Sequence, residues 1–173
     1  MTTTAATRTA DTIVPPCRMA LGFFEQALAS IPAETFARKP EGVNTNHPAW
    51  IVGHLSIYTD TLLEMIGRSD LANPSAAKPD LFADGTECKD DADGAIYPPK
   101  DELVSLFFER INTALDALAE TDDATLAKPN TAFAAEAIPT VGGLATFLMG
   151  HHVMMHFGQV SAWRRMMGLG PIM

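Results

Sequence analysis

The chain has 173 residues, of which 47% are hydrophobic and 19% are charged, and its formal net charge is -9. We therefore predict a single globular domain over residues 1–173, with residues 1–13 flexible. The negative charge argues against binding to nucleic acid or to an anionic membrane surface. The sequence contains no run of about 18 apolar residues, so no membrane-spanning segment is expected.

Four segments have the 3–4 spacing of apolar residues that predicts helices. In chain order they cover about residues 15–30, 47–66, 100–121 and 140–167. Pro15 and Pro16 are predicted to open the first helix, and Asn46 is predicted to cap the second. The acidic segment between the second and third helices is expected to be a solvated loop.

The predicted fold class is all-α, because four helices and no convincing strand indicate a four-helix bundle. All three connections are longer than the roughly 2–8 residues that usually join bundle helices. Tight hairpins are therefore not expected, and a crossover topology is open.

The two cysteines, Cys17 and Cys88, lie far apart and form no C-x-x-C pair of the metal-binding or redox type. One disulfide between them is an open alternative. Two reduced thiols in a cytoplasmic protein are the simpler interpretation. The N-terminal residues lack the apolar segment of a secretory signal, which also favours a cytoplasmic location.

Three of the five histidines fall between Gly150 and Gln159, inside the apolar fourth helix. His152 and His156 are four residues apart, so their rings lie about 40° apart around the helix axis and can reach one point beside it. This spacing is typical of two histidines that bind one metal ion. His151 points about 100° away from His152, which favours a place at the rim over a contact behind the ligands.

A third ligand has to come from another helix, and His54 in the middle of the second helix is the best candidate. His47 is weaker, because it is predicted to lie at a frayed and solvated helix end. Three neutral imidazoles leave a fourth position open for water, as in catalytic zinc sites. We therefore predict one divalent metal ion at His54, His152 and His156, with zinc or nickel favoured.

The alternative is that the three rings are ordinary core residues. Each buried ring then needs a polar partner, and no acidic residue lies within a turn of the pair on the fourth helix. Metal binding is therefore the stronger interpretation.

Two further residues are candidates for catalysis. Gln159 follows His156 by three residues and can hydrogen-bond a metal-bound water, a ligand imidazole or a substrate, although a backbone partner is equally open. Tyr58 follows His54 by four residues and is the nearest phenol for acid–base help. Trp50 is expected to be a core residue.

The segments "NHPAWIVGHLSIYTDTLLEMIG" and "HHVMMHFGQVSAWRRMMGLGP" resemble the DinB/YfiT-like superfamily of metalloenzymes. That family pairs W-x-x-x-H on its second helix with H-x-x-x-H-x-G-Q on its fourth. The matching positions here are Trp50, His54, His152, His156, Gly158 and Gln159. The likeness extends over nearly all of the chain.

The resemblance implies a DinB-like four-helix bundle with an unusual connection order, a divalent metal at the three histidines and a homodimer. It does not imply one reaction, since relatives include bacillithiol S-transferases and mycothiol-dependent maleylpyruvate isomerases. We therefore expect an enzyme whose metal activates water or a thiol, for hydrolysis or for thiol transfer to a small-molecule substrate. The expected partners are that substrate and a low-molecular-weight thiol. The alternative is a non-catalytic bundle that binds a metal or a small ligand.

Overall fold

The computed structural model describes residues 7–172, and within them the fold is helical with no strand. In chain order the helices are α1 (Thr9–Ala29), α2 (Pro48–Met65), α3 (Pro79–Phe82), α4 (Lys100–Glu120), α5 (Asp123–Leu126), α6 (Val141–Thr146) and α7 (His152–Met166). A π-helical turn, Phe147–His151, joins α6 to α7 without a break, and short 3-10 turns cover Ala33–Thr35 and Ser69–Leu71. The predicted all-α class is confirmed.

The long helices form a bundle in which α1 and α2 each pack against both α4 and α7. Since these two helices share the same neighbours, they lie at opposite corners, and the chain crosses the bundle between them. Long connections and a crossover order therefore replace tight hairpins. No helix within residues 7–172 is both long and apolar enough to cross a bilayer.

Helix α1 begins at Thr9, so the predicted start at the Pro15–Pro16 pair is wrong. A proline inside a helix removes one backbone hydrogen bond and costs about 3 kcal/mol. Burial of neighbouring apolar side chains such as Ile13 offsets that cost. Residues 9–13, which we expected to be flexible, are helical, whereas residues 1–6 of that segment lie outside the described residues.

The acidic connection between α2 and α4 is organised around a buried carboxylate. Asp91 is 6% exposed, and its oxygens accept hydrogen bonds from the backbone N–H groups of Ala95, Ile96 and Tyr97. Burial raises the pKa of Asp91, but these hydrogen bonds together outweigh it and leave the pKa below its ordinary value. The expectation of a fully solvated loop is therefore wrong at this residue.

Both cysteines are free thiols, and both are buried. Burial raises the pKa of Cys17 to about 11 and also raises the pKa of Cys88. The structure therefore shows two protonated core thiols rather than the disulfide that the sequence left open.

Candidate metal centre

The site lies where α2 faces α7. One potential ligand nitrogen each from His54, His152 and His156 lies within 4.8 Å of the other two. Nε2 of His152 is 3.1 Å from Nε2 of His156. Helix α7 is regular from His152 onward, so the spacing of four residues places these two rings on one face. The structure thus brings together the three histidines that the sequence singled out.

The ring of His54 is held by a backbone carbonyl from another element. Its Nδ1 lies 2.9 Å from the carbonyl oxygen of Phe82, at the end of α3. A carbonyl can only accept, so Nδ1 carries the proton and donates, which leaves the lone pair on Nε2. Metal-ligating histidines are commonly oriented by such a bond on the second nitrogen.

Gly53 allows α3 to approach α2 closely enough for this bond. A Cβ at this position would lie only 2.5 Å from ring atoms of Phe82. Any larger residue before His54 would push Phe82 and its carbonyl away. The sequence analysis missed Phe82, although a glycine directly before the histidine was the available indication of a close contact.

His156 is oriented in the same way by a side chain on its own helix. Its Nδ1 donates to Oε1 of Gln159 over 2.9 Å, which again leaves the Nε2 lone pair free. Of the partners predicted for Gln159, the structure shows the ligand imidazole. Gln159 therefore acts on the site through His156.

The donor set suits a divalent metal. Two nitrogens bound to one tetrahedral zinc ion at 2.0–2.1 Å are about 3.3 Å apart, close to the 3.1 Å between His152 and His156. Burial, together with the neighbouring imidazoles, lowers the pKa of His152 to about 3 and that of His156 to about 4. Burial also lowers the pKa of His54. All three rings are thus neutral at pH 7, the state in which imidazole binds metals.

His152 differs from His54 and His156 in the surroundings of its Nδ1. Nδ1 of His152 is buried and has no hydrogen-bond partner among residues 7–172. The ring is held by packing instead, since it stacks on Phe147 with ring centroids 5.7 Å apart and an interplanar angle of 11°. A buried ring nitrogen without a polar partner is costly in an ordinary core. The convergence of the three imidazoles, rather than this nitrogen, favours a metal-binding site over the core alternative.

Tyr58 and Trp50 also contact the histidines. Tyr58 packs edge-on against His54 and His152, with ring centroids 5.0 and 4.9 Å away, and burial raises its pKa. Trp50 is buried and stacks on His54 at 4.5 Å, which confirms that it is a core residue. Tyr58 therefore lies beside two of the three histidines, and its part in catalysis stays a prediction.

The remaining histidines lie outside the cluster. His151 is exposed and faces an apolar groove between α1 and the π-helical turn, as expected of a rim residue. His47 is fully buried, so the expected solvated helix end is wrong. Its Nδ1 accepts from the backbone N–H of Trp50, and its Nε2 donates to the carbonyl of Lys89 over 2.8 Å. His47, rather than Asn46, is the cap of α2.

We expect acid to destabilise the metal-free protein, and we expect protonation of His47 to account for a measurable part of that loss of stability. Burial lowers the pKa of His47 from 6.5 to about 4. Between these two pH values the ring binds a proton in the unfolded chain but not in the folded chain. Its contribution is complete above pH 6.5 and is lost toward pH 4, by at most about 1.4 kcal/mol per pH unit. Urea unfolding between pH 7.5 and 4.5 measures this slope.

The variant His47→Asn keeps a capping side chain and removes the titrating group. Its unfolding free energy should fall less steeply with acid than that of the wild type. Equal slopes of unfolding free energy against pH for the wild type and His47→Asn would show that His47 does not cause this loss of stability.

Comparison with protein families agrees with this geometry. A family model described as the DinB superfamily matches residues 21–160, a span that includes all three histidines and Gln159. Comparison with curated proteins and with solved structures finds no match.

Proposed function

The chain belongs to the DinB superfamily, and on that premise we propose that it is an enzyme that depends on a divalent metal ion held by His54, His152 and His156. The observation that carries the proposal is the convergence of the three imidazoles. Zinc and nickel are the proposed ions, because both accept imidazole ligands well.

The ion would supply a Lewis acid that lowers the pKa of a water or a thiol, for hydrolysis or for thiol transfer to a small molecule. The protein would orient the ligand imidazoles and limit the access of water to them. The carbonyl of Phe82 and the amide of Gln159 aim two of the imidazoles. The rings of Trp50, Tyr58 and Phe147 exclude water from the three histidines.

Tyr58 is the group placed to move a proton. Its side chain is partly exposed and its ring touches two of the three histidines. Burial and the charge of Asp84 raise its pKa, so the phenol stays protonated at pH 7 and is able to donate.

The second candidate function is a non-catalytic metal site in the same bundle. The burial of the ligands favours it, since His54, His152 and His156 are only 4–6% exposed. The ion would then stabilise the contact between α2 and α7 and bind no substrate.

We further propose a cytoplasmic homodimer that uses a low-molecular-weight thiol. These points rest on the resemblance and on the cysteine content of the sequence. Sedimentation of the purified protein at micromolar concentration measures the oligomeric state.

Reconstitution tests the proposed function. Tag-free protein is stripped with a chelator, loaded with zinc or nickel, and desalted. We expect about one equivalent of bound metal, together with metal-dependent turnover of small esters or of thiol with small electrophiles. Protein that retains no metal would contradict both candidate functions. One bound equivalent without turnover would favour the non-catalytic site.

A further inference from the structure

The loop between α5 and α6 carries an aromatic ring to the metal centre. Its base is closed by backbone hydrogen bonds from Asn130 to Pro139 and from Val141 to Lys128. Its tip is exposed from Thr131 to Ala137, and Phe133 lies in that tip.

Asn130 fixes the loop from inside. It is 4% exposed, and its Nδ2 donates to the carbonyls of Phe133 and Ile138 over 2.9 and 2.8 Å. Its Oδ1 accepts from the backbone N–H of Ala132. The backbone at Phe133 is thereby held in place, which leaves the side chain as the adjustable part.

The ring of Phe133 completes a closed set of aromatic contacts next to His152. It lies 6.0 Å from Tyr58 and 6.2 Å from Phe147, and both of these rings contact His152. His152 is buried, whereas Phe133 is 36% exposed. On this side of the site, solvent meets Phe133 before it meets the ligand ring.

The polar contacts of these rings bear on the charge that a substrate can carry. Within the described range, no lysine or arginine forms a hydrogen bond or an ion pair with the three histidines or with Tyr58. A carboxylate or phosphate on the body of a substrate, away from the atom that binds the metal, would therefore find no lysine or arginine there.

We infer that Phe133 is the specificity-determining residue of the metal centre and that the substrate is a small molecule with an uncharged, aromatic or apolar body. The inference rests on the proposed function, which supplies the metal. The substrate body packs against Tyr58 and Phe147, and the Phe133 ring rotates to stack on it. An aromatic body gains more from these faces than an aliphatic one of the same charge.

Thiol binding to cobalt-loaded protein tests the inference without any activity assay. Cobalt(II) replaces the native ion, and a bound thiolate produces a charge-transfer absorption band. We expect benzyl mercaptan to bind roughly fivefold more tightly than 2-mercaptoethanol, because aromatic stacking adds to its affinity. 4-(Mercaptomethyl)benzoate, whose carboxylate is too far from its thiol to chelate the ion, should bind more weakly than benzyl mercaptan.

Variants of Phe133 assign the preference to this ring. Phe133→Ala should lose roughly fivefold in affinity for benzyl mercaptan and less than about twofold for 2-mercaptoethanol, whereas Phe133→Tyr should keep the preference. Phe108→Ala, a matched change on α4, should behave as the wild type.

The experiment distinguishes failure of this inference from failure of the proposed function. Protein that takes up cobalt and binds thiols, but shows no loss of affinity in Phe133→Ala or prefers 4-(mercaptomethyl)benzoate to benzyl mercaptan, overturns the inference and leaves the proposed function standing. Protein that takes up no cobalt overturns both. Protein that takes up cobalt but shows no charge-transfer band with any thiol overturns the inference and leaves hydrolysis as the proposed reaction.

Discussion

We expect His152→Ala to abolish tight metal binding and to leave the helical fold intact. Structural zinc sites bind with about 10–16 kcal/mol through four ligands, or about 3 kcal/mol per ligand, so the loss of one ligand weakens binding by about 100-fold or more. His152 is central because its Nε2 lies beside that of His156. Competition with a chromophoric chelator measures the zinc affinity, and circular dichroism measures the helix content.

Two further variants serve as controls for this result. His151→Ala changes an adjacent, exposed histidine and should leave the affinity as it is. Gln159→Ala frees the Nδ1 of His156 and should weaken binding by about 10–100-fold, as is usual when the partner of a ligand is lost. Equal affinities for the wild type and His152→Ala would contradict the site, as would a large effect of His151→Ala.

The cluster of three histidines was predictable because the signature of two of them is local. His152 and His156 are one helical turn apart, and the periodicity of the surrounding apolar residues already placed them on a helix. His54 followed from the need for a third imidazole on a second helix. The same local patterns predicted α2 and α4 to within about two residues.

The groups that orient the ligands were less predictable, because they depend on tertiary contacts. Phe82 contributes a backbone carbonyl, which every residue has, from a short helix in a segment that we predicted to be loop. His47 looked like a solvated helix end until Lys89, 42 residues later in the chain, supplied its partner. Phe133 reaches the site through loop geometry that no periodic pattern encodes.

The start of α1 was mispredicted for a different reason. Proline at the first turn of a helix is favoured, so Pro15 was a sound local indication of a start. Helical order nevertheless extends back to Thr9, because residues of the earlier turns, such as Ala10, are buried in the core. Tertiary burial here outweighs a local penalty of about 3 kcal/mol.

Arg110→Met should destabilise the fold by about 3–5 kcal/mol, the largest stability change that we predict. Arg110 lies on α4 and is 6% exposed. Its guanidinium pairs with Asp60 on α2 and donates to the carbonyl of Ser56. The substitution keeps an apolar stem but leaves the carboxylate of Asp60 without its cation in a largely buried position, which is the costly half of breaking such a pair. Urea unfolding at pH 7.5 measures the loss.

The double variant Arg110→Met with Asp60→Asn separates the charge from the packing. If the loss of stability arises from the unpaired carboxylate of Asp60, replacing that carboxylate with an amide should restore much of the stability. The amide oxygen can still accept a hydrogen bond from the backbone N–H of Asn73. The matched surface pair of Arg18 and Asp116 has side chains 43% and 70% exposed, so Arg18→Met should cost less than about 1 kcal/mol. Equal costs for the buried and exposed arginines would show that the contact between α2 and α4 depends on apolar packing alone.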